Sequence, residues 1–180
     1  MVTKALTSIT TEEYRSFICN KVVPAIAEKW PDCHRNMTIK IQQDNAPVHI
    51  KETDVAFHQA VAATDLNIQL RFQPSNSPDL NVLDLGFFNA IQSLQQESAC
   101  ATIDELVEAT ETAFQSLQWK KLNNVFLTLQ KVMECCLLHA GNNNYKLPHI
   151  LKQKLERNGE LPVSIVVSDE LSEIVAEYVG

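Results

Sequence analysis

Ser77-Pro78-Asp79-Leu80-Asn81-Val82-Leu83-Asp84, read together with Gln42-Gln43-Asp44-Asn45-Ala46-Pro47-Val48-His49 upstream, decides how this chain is organised. Before Asp44, Met37, Ile39 and Ile41 alternate with Thr38, Lys40 and Gln42, the period-two signature of a strand. That places Asp44 at the strand's C-terminal end, where ligands gather in open α/β sheets. Before Ser77, Ile68, Leu70 and Phe72 alternate with Gln69 and Arg71, giving a second strand, and Gln73-Pro74-Ser75-Asn76 marks irregular backbone. After it, Leu83, Phe87, Ile91 and Leu94 share one face of a helix expected over about residues 82–98. Asp84 falls in the first turn of that helix and complements its dipole. Both acids thus stand where one element ends and the next begins, and hard carboxylate oxygens on such supports suit Mg²⁺ or Mn²⁺.

The rest of the chain extends this α/β pattern. Thr10-x-x-Glu13 is a capping box opening a helix whose Tyr14, Phe17, Ile18 and Val22 repeat at helical spacing, and Pro24 predicts a kink or a restart over residues 24–30. A helix is expected from Pro47 to about Ala63, with Val48, Val55 and Val61 as its apolar positions. Thr102-x-x-Glu105 opens another helix carrying Leu106, Val107, Phe114 and Leu117. A longer one over about residues 119–139 should turn Leu122, Phe126, Leu129, Met133 and Leu137 inward and stop at Gly141. Pro148 is placed to begin a short helix ending near Asn158-Gly159, followed by a strand at Val163 to Val167 and a helix from Asp169 to Tyr178.

Gln-Asp-Asn-Ala-Pro-x-His, an intervening helix and strand, then Ser-Pro-Asp-Leu-Asn-x-x-acid resembles the catalytic domain of mariner-like transposases, a branch of the DDE endonuclease superfamily. The resemblance covers about residues 11–155, and the two motifs together are far more specific than either alone. It implies a ribonuclease-H-like fold, here truncated to a few-stranded sheet with a mostly helical C-terminal half. By motif position, Asp44 becomes the second and Asp84 the third acid of a catalytic triad, with 39 residues between them. His49 takes a place near the site or is a plain helix-surface histidine, and Asn45 positions a water or shapes the turn. Asp79 reads as a loop or capping residue. Residues 1–160 are then a partial catalytic domain and residues 161–180 a C-terminal tail.

The first acid of such a triad stands on a strand ahead of the Asp44 strand. Asp32 is the sole Asp among the 43 residues preceding Asp44, and it lies in the turn-like Trp30-Pro31-Asp32-Cys33-His34. The first catalytic carboxylate is therefore expected to be missing from this chain. A complete site would hold two Mg²⁺ ions about 4 Å apart for cleavage and transfer of DNA strands. With one anionic ligand gone, metal retention is expected to be weak or absent and the chain inactive alone. The alternative is a non-enzymatic protein-interaction module retained from a transposase, presenting its helical C-terminal half.

Composition bears on the partners. The net charge is −7, against a stand-alone DNA binder, whose affinity comes from Lys and Arg. The visible basic clusters are Lys120-Lys121 and Lys146, His149, Lys152, Lys154 and Arg157. DNA at transposon ends is thus a partner of the complete protein, while an unpaired sheet edge implies either self-association or reduced stability. No apolar run suggests a membrane partner and no secretory signal opens the chain, so a nuclear or cytoplasmic location is expected. Five cysteines without Cys-x-x-Cys spacing suit reduced thiols. His34, His58, His139 and His149 do not converge with them at zinc-ligand spacing.

Each aspartate also has a plainer use. Asp-Asn before Pro commonly shapes a turn, and a first-turn Asp can serve the helix dipole alone.

Overall fold

A computed structural model describes residues 8–148 and 150–179 of the chain. They form two compact units, one within residues 4–76 and one within residues 77–180. The architecture is α/β, helices with a two-stranded parallel sheet.

In the first unit the Thr10 hydroxyl accepts from the Glu13 N–H and the Glu13 carboxylate accepts from the Thr10 N–H at 2.7 Å, the expected capping box. Helix α1 (Thr11–Phe17) continues through a π turn, Ile18–Val22, into α2 (Val23–Lys29). Pro24 thus stands in the first turn of the restarted helix α2, as its position predicts, with a π turn ahead of it. Its ring would strike the carbonyl four residues back in a regular α-helix, and a π turn, closed by the Val23 N–H on the Ile18 carbonyl, relieves that clash. The widened turn changes the buried face: Ile18 and Val23 are buried, whereas Phe17, expected inward, is 60% exposed. Trp30, extended because Pro31 follows, ends α2.

Strand β1 (Thr38–Gln43) pairs in parallel with β2 (Asn67–Phe72), Ile39 opposite Ile68 and Ile41 opposite Leu70. Met37 lies outside the strand. The expected helix from Pro47 is shorter: residues 47–54 turn, and α3 spans Val55–Ala62. Asp54 sets its start, accepting from the Phe57 N–H at 3.0 Å through one oxygen and from Arg15 Nε at 2.9 Å through the other. Phe57, rather than Val48 or Val55, anchors α3 in a core with Ile18, Val23, Ile39, Ile50, Leu66, Ile68 and Leu70.

In the second unit, the expected 82–98 helix is a π turn, Leu83–Phe87, leading into α4 (Phe88–Gln95), with a break in helical backbone at Gly86. A Cβ there would lie 3.2 Å from Val125 Cγ2, so the bare backbone permits close packing on α6 (Trp119–Leu138). Between them α5 (Ile103–Ser116) opens on the Thr102–Glu105 capping box and sets Phe114 edge-on against Phe87. Helix α6 buries Leu127, Val132, Glu134 and Cys135. The stripe expected to face inward does so only in part: Leu122 and Leu129 are half-buried, while Phe126, Met133 and Leu137 are each more than 40% exposed. Apolar residues occur on two faces of α6, and periodicity cannot say which one meets a neighbour. Gly141, at φ 81°, stops the helix by donating to the Cys136 carbonyl.

Helix α7 (Lys152–Arg157) begins after Leu151, not at Pro148. Residues 163–167 form no strand. Their surroundings are satisfied by α6 side chains instead, Asn123 Nδ2 donating to the Pro162 carbonyl and the Ile165 N–H donating to Gln130 Oε1 at 2.7 Å. Helix α8 (Asp169–Val179) follows where expected and buries Leu171. Residues 161–179 thus lie within the second unit. Among the described residues no helix is long and apolar enough to cross a membrane, and the five cysteines are unpaired.

Asp54 supplies a pH-dependent test of the first unit. Burial pushes its carboxyl up, but the Arg15 guanidinium and the Phe57 and Ala56 N–H groups together hold it below its ordinary 3.8. A depressed carboxyl contributes stability above the unfolded value, lost as pH falls through the folded one. Asp54→Ala is expected to cost about 0.5–2 kcal/mol at neutral pH through the lost cap alone. In urea unfolding across pH, the gap to the parent should close in acid; a gap that is constant down to the lowest pH would reject the linkage.

Candidate functional site

The parallel register brings the C-terminal ends of β1 and β2 side by side, and the Gln73 N–H donates to the Gln43 carbonyl at 2.9 Å. Strand alternation turns Gln43 inward with Ile39, and it is 5% exposed. Its amide is satisfied on both sides: Nε2 donates to the Ile50 carbonyl at 2.6 Å, and Oε1 accepts from the Tyr14 hydroxyl at 3.1 Å. This buried polar link holds the turn after β1 against α1.

Asp44 sits directly beyond it. Its Oδ1 accepts from the Ala46 N–H at 2.8 Å and lies 3.0 Å from His49 Nδ1, which is also 2.8 Å from the Asp44 carbonyl. Both partners of Nδ1 are acceptors, so the ring proton belongs there and Nε2 carries the lone pair of the neutral imidazole. The His49 ring packs on Tyr14, centroids 4.4 Å apart, and is 15% exposed at its side chain against 43% for Asp44. Asn45 Nδ2 donates to the Gln73 carbonyl at 3.1 Å and ties the two strand ends together.

Asp44, Asn45 and His49 therefore come together at one end of the sheet. Asp84 belongs to the second unit. There it is exposed in the π turn, its Oδ2 accepting from Asn81 Nδ2 at 2.8 Å. Each aspartate has one oxygen oriented by donors and one with no hydrogen bond among the described residues, the form of a one-oxygen ligand for a hard cation. Asp79 is occupied by the Tyr145 hydroxyl. Asp32 lies in a 3₁₀ turn, Asp32–His34, paired with Arg35 and exposed, not on a strand. Among the described residues no three His, Cys, Asp or Glu side chains gather to hold a metal ion.

Tyr14 and Gln43 were not legible as site residues. Gln43 did carry a signal, a polar side chain at inward parity; Tyr14 carried none, being 29 residues away and joined to the turn only by tertiary packing. Comparison with protein-family models, curated proteins and solved structures finds no match to this chain.

Tyr14 reports on the charge of Asp44. Burial raises its phenol above 10.0, and the neighbouring Asp44 carboxylate raises it further. Asp44→Asn should move the Tyr14 titration, followed by tyrosine ring NMR, downward while leaving it above the ordinary value. No movement would mean that the carboxylate does not face the ring.

Proposed function

We propose that the chain is a transposase-derived part of a metal-dependent DNA strand cleavage and transfer domain of the ribonuclease-H-like type, with no appreciable activity alone. The observation that carries this reading is Asp44, set at the carboxyl end of a parallel strand with one oxygen restrained and the other open. The two motifs that hold Asp44 and Asp84 support it, as does the chemistry of the donor set. In the complete domain that the resemblance implies, Mg²⁺ or Mn²⁺ would supply activation of a water or DNA 3′-hydroxyl and stabilisation of the departing oxygen, with Asp44 and Asp84 as candidate ligands.

Within that reading the chain's own groups have distinct tasks. The Ala46 N–H and His49 orient the Asp44 carboxylate, and Asn45 fixes the strand ends beneath it. His49 Nε2 is the acceptor for a proton released near the phosphate. No strand ahead of β1 among the described residues offers the first acid, which accounts for the expected inactivity.

The second reading, an interaction module, is favoured by one observation: the helical half exposes Phe114, Trp119, Phe126, Met133 and Leu137. The sheet's outer edges, unpaired with any strand among the described residues, provide a further route to self-association.

Mn²⁺ titration followed by electron paramagnetic resonance separates these readings. Weak Mn²⁺ binding should be lost in Asp44→Asn, whose carboxylate is the oriented ligand at the strand end. Binding unchanged in Asp44→Asn would reject Asp44 as a metal ligand and leave the interaction module. Supercoiled DNA incubated with the chain and Mn²⁺ should stay intact; nicks abolished by Asp44→Ala would reject the inactivity.

A further inference from the structure

The second unit contains a cavity of about 850 Å³ between the α4 side, one face of α6 and the segment running into α7. Its size lies within the range that encloses small-molecule ligands. Lys121, Lys131, Lys152, Lys154 and Arg157 line it. Lys131 is answered by Glu134, whereas the other four form no ion pair among the described residues. In a chain of net charge −7, this is a local concentration of uncompensated positive charge in one concave volume.

Two details of the wall point to a ligand. Lys152 Nζ donates to the Asn124 carbonyl at 2.6 Å and to the Thr128 hydroxyl, which anchors the ammonium at the wall with one proton to spare. Burial pushes its pKa down, a penalty that an adjacent anion offsets. Asn124 Oδ1, on the same wall, is buried and accepts no hydrogen bond among the described residues. Buried polar atoms are rarely left so, and a hydroxyl or N–H group entering the cavity would satisfy it. Val125, Leu147 and Ile150 add apolar surface beside these polar groups.

We propose that this cavity binds a small phosphate-bearing ligand of nucleotide size, its phosphates held by Lys121, Lys152, Lys154 and Arg157 and a hydroxyl or N–H group donated to Asn124 Oδ1. A compact anion fits the observations better than a nucleic acid. The cations line one open concavity instead of tracking along a helix or strip of surface, and the acidic remainder of the chain repels a long polyanion more than a small ligand seated in the concavity. The assignment is independent of the aspartate site.

Calorimetric titration of the full chain with ADP in metal-free buffer at low ionic strength tests it. One saturable site is expected, with pyrophosphate and adenosine each binding more weakly than ADP. The exposed double substitution Lys154→Gln/Arg157→Gln should weaken ADP at least about tenfold. Lys120→Gln, whose lysine pairs with Glu156 outside the lining, should leave it unchanged. Amide shifts in the ADP-bound protein should cluster in residues 121–131 and 150–157. Absence of saturable ADP binding at millimolar concentration, or equal weakening by Lys120→Gln, would overturn the assignment. Displacement of ADP by a short DNA duplex that binds the same residues more tightly would overturn it in favour of a nucleic-acid surface.

Discussion

Parallel pairing of β1 with β2 is the constraint on which the first unit rests. Parallel neighbours cannot be joined by a tight turn, so the chain must leave β1, cross over and return. The crossover carries the turn after Asp44, the Asp54 cap, α3 and Phe57, which seals the space over Ile39, Ile68 and Leu70. Because both strands run the same way, their carboxyl ends meet: the Gln73 N–H bonds the Gln43 carbonyl, and the Asn45 side chain reaches the Gln73 carbonyl. Burying Phe57 fully contributes about 1.5–3 kcal/mol to this arrangement.

Around that end, polar groups are arranged so that each restrains the next. Tyr14 holds Gln43, Gln43 holds the Ile50 carbonyl, and the intervening turn places His49 against both Asp44 and Tyr14. A buried glutamine with partners on both amide atoms favours one conformation, because any other leaves a polar atom unpaired. The rigidity at Asp44 therefore comes from outside the aspartate itself.

Much of this was legible in the sequence where local chemistry decides the outcome. The capping boxes at Thr10 and Thr102, the strand alternation at Ile39 and Ile68, and the stop at Gly141 act over a few residues and appear as read. Failures arise where a distant partner decides. Asp54, through Arg15, sets the start of α3 at Val55 instead of Pro47; α6 turns Leu127 and Val132 inward instead of Phe126 and Met133; and Val163 to Val167, apolar enough for a strand, meets side chains of α6 and no strand. Of the candidate site, the Asp44, Asn45 and His49 cluster followed from motif and strand end, while the contribution of Tyr14 required the fold.

The π turn beneath Pro24 has an effect on phase. One residue more than a regular turn is accommodated between Ile18 and the start of α2, so side chains beyond it are rotated by about 100° from where a steady helical count would put them. Residues five apart, Ile18 and Val23, come to share the covered side, while Val22, at the regular spacing, is only half-covered. The first helix is thus two short amphipathic pieces in different registers, joined end to end by the π turn.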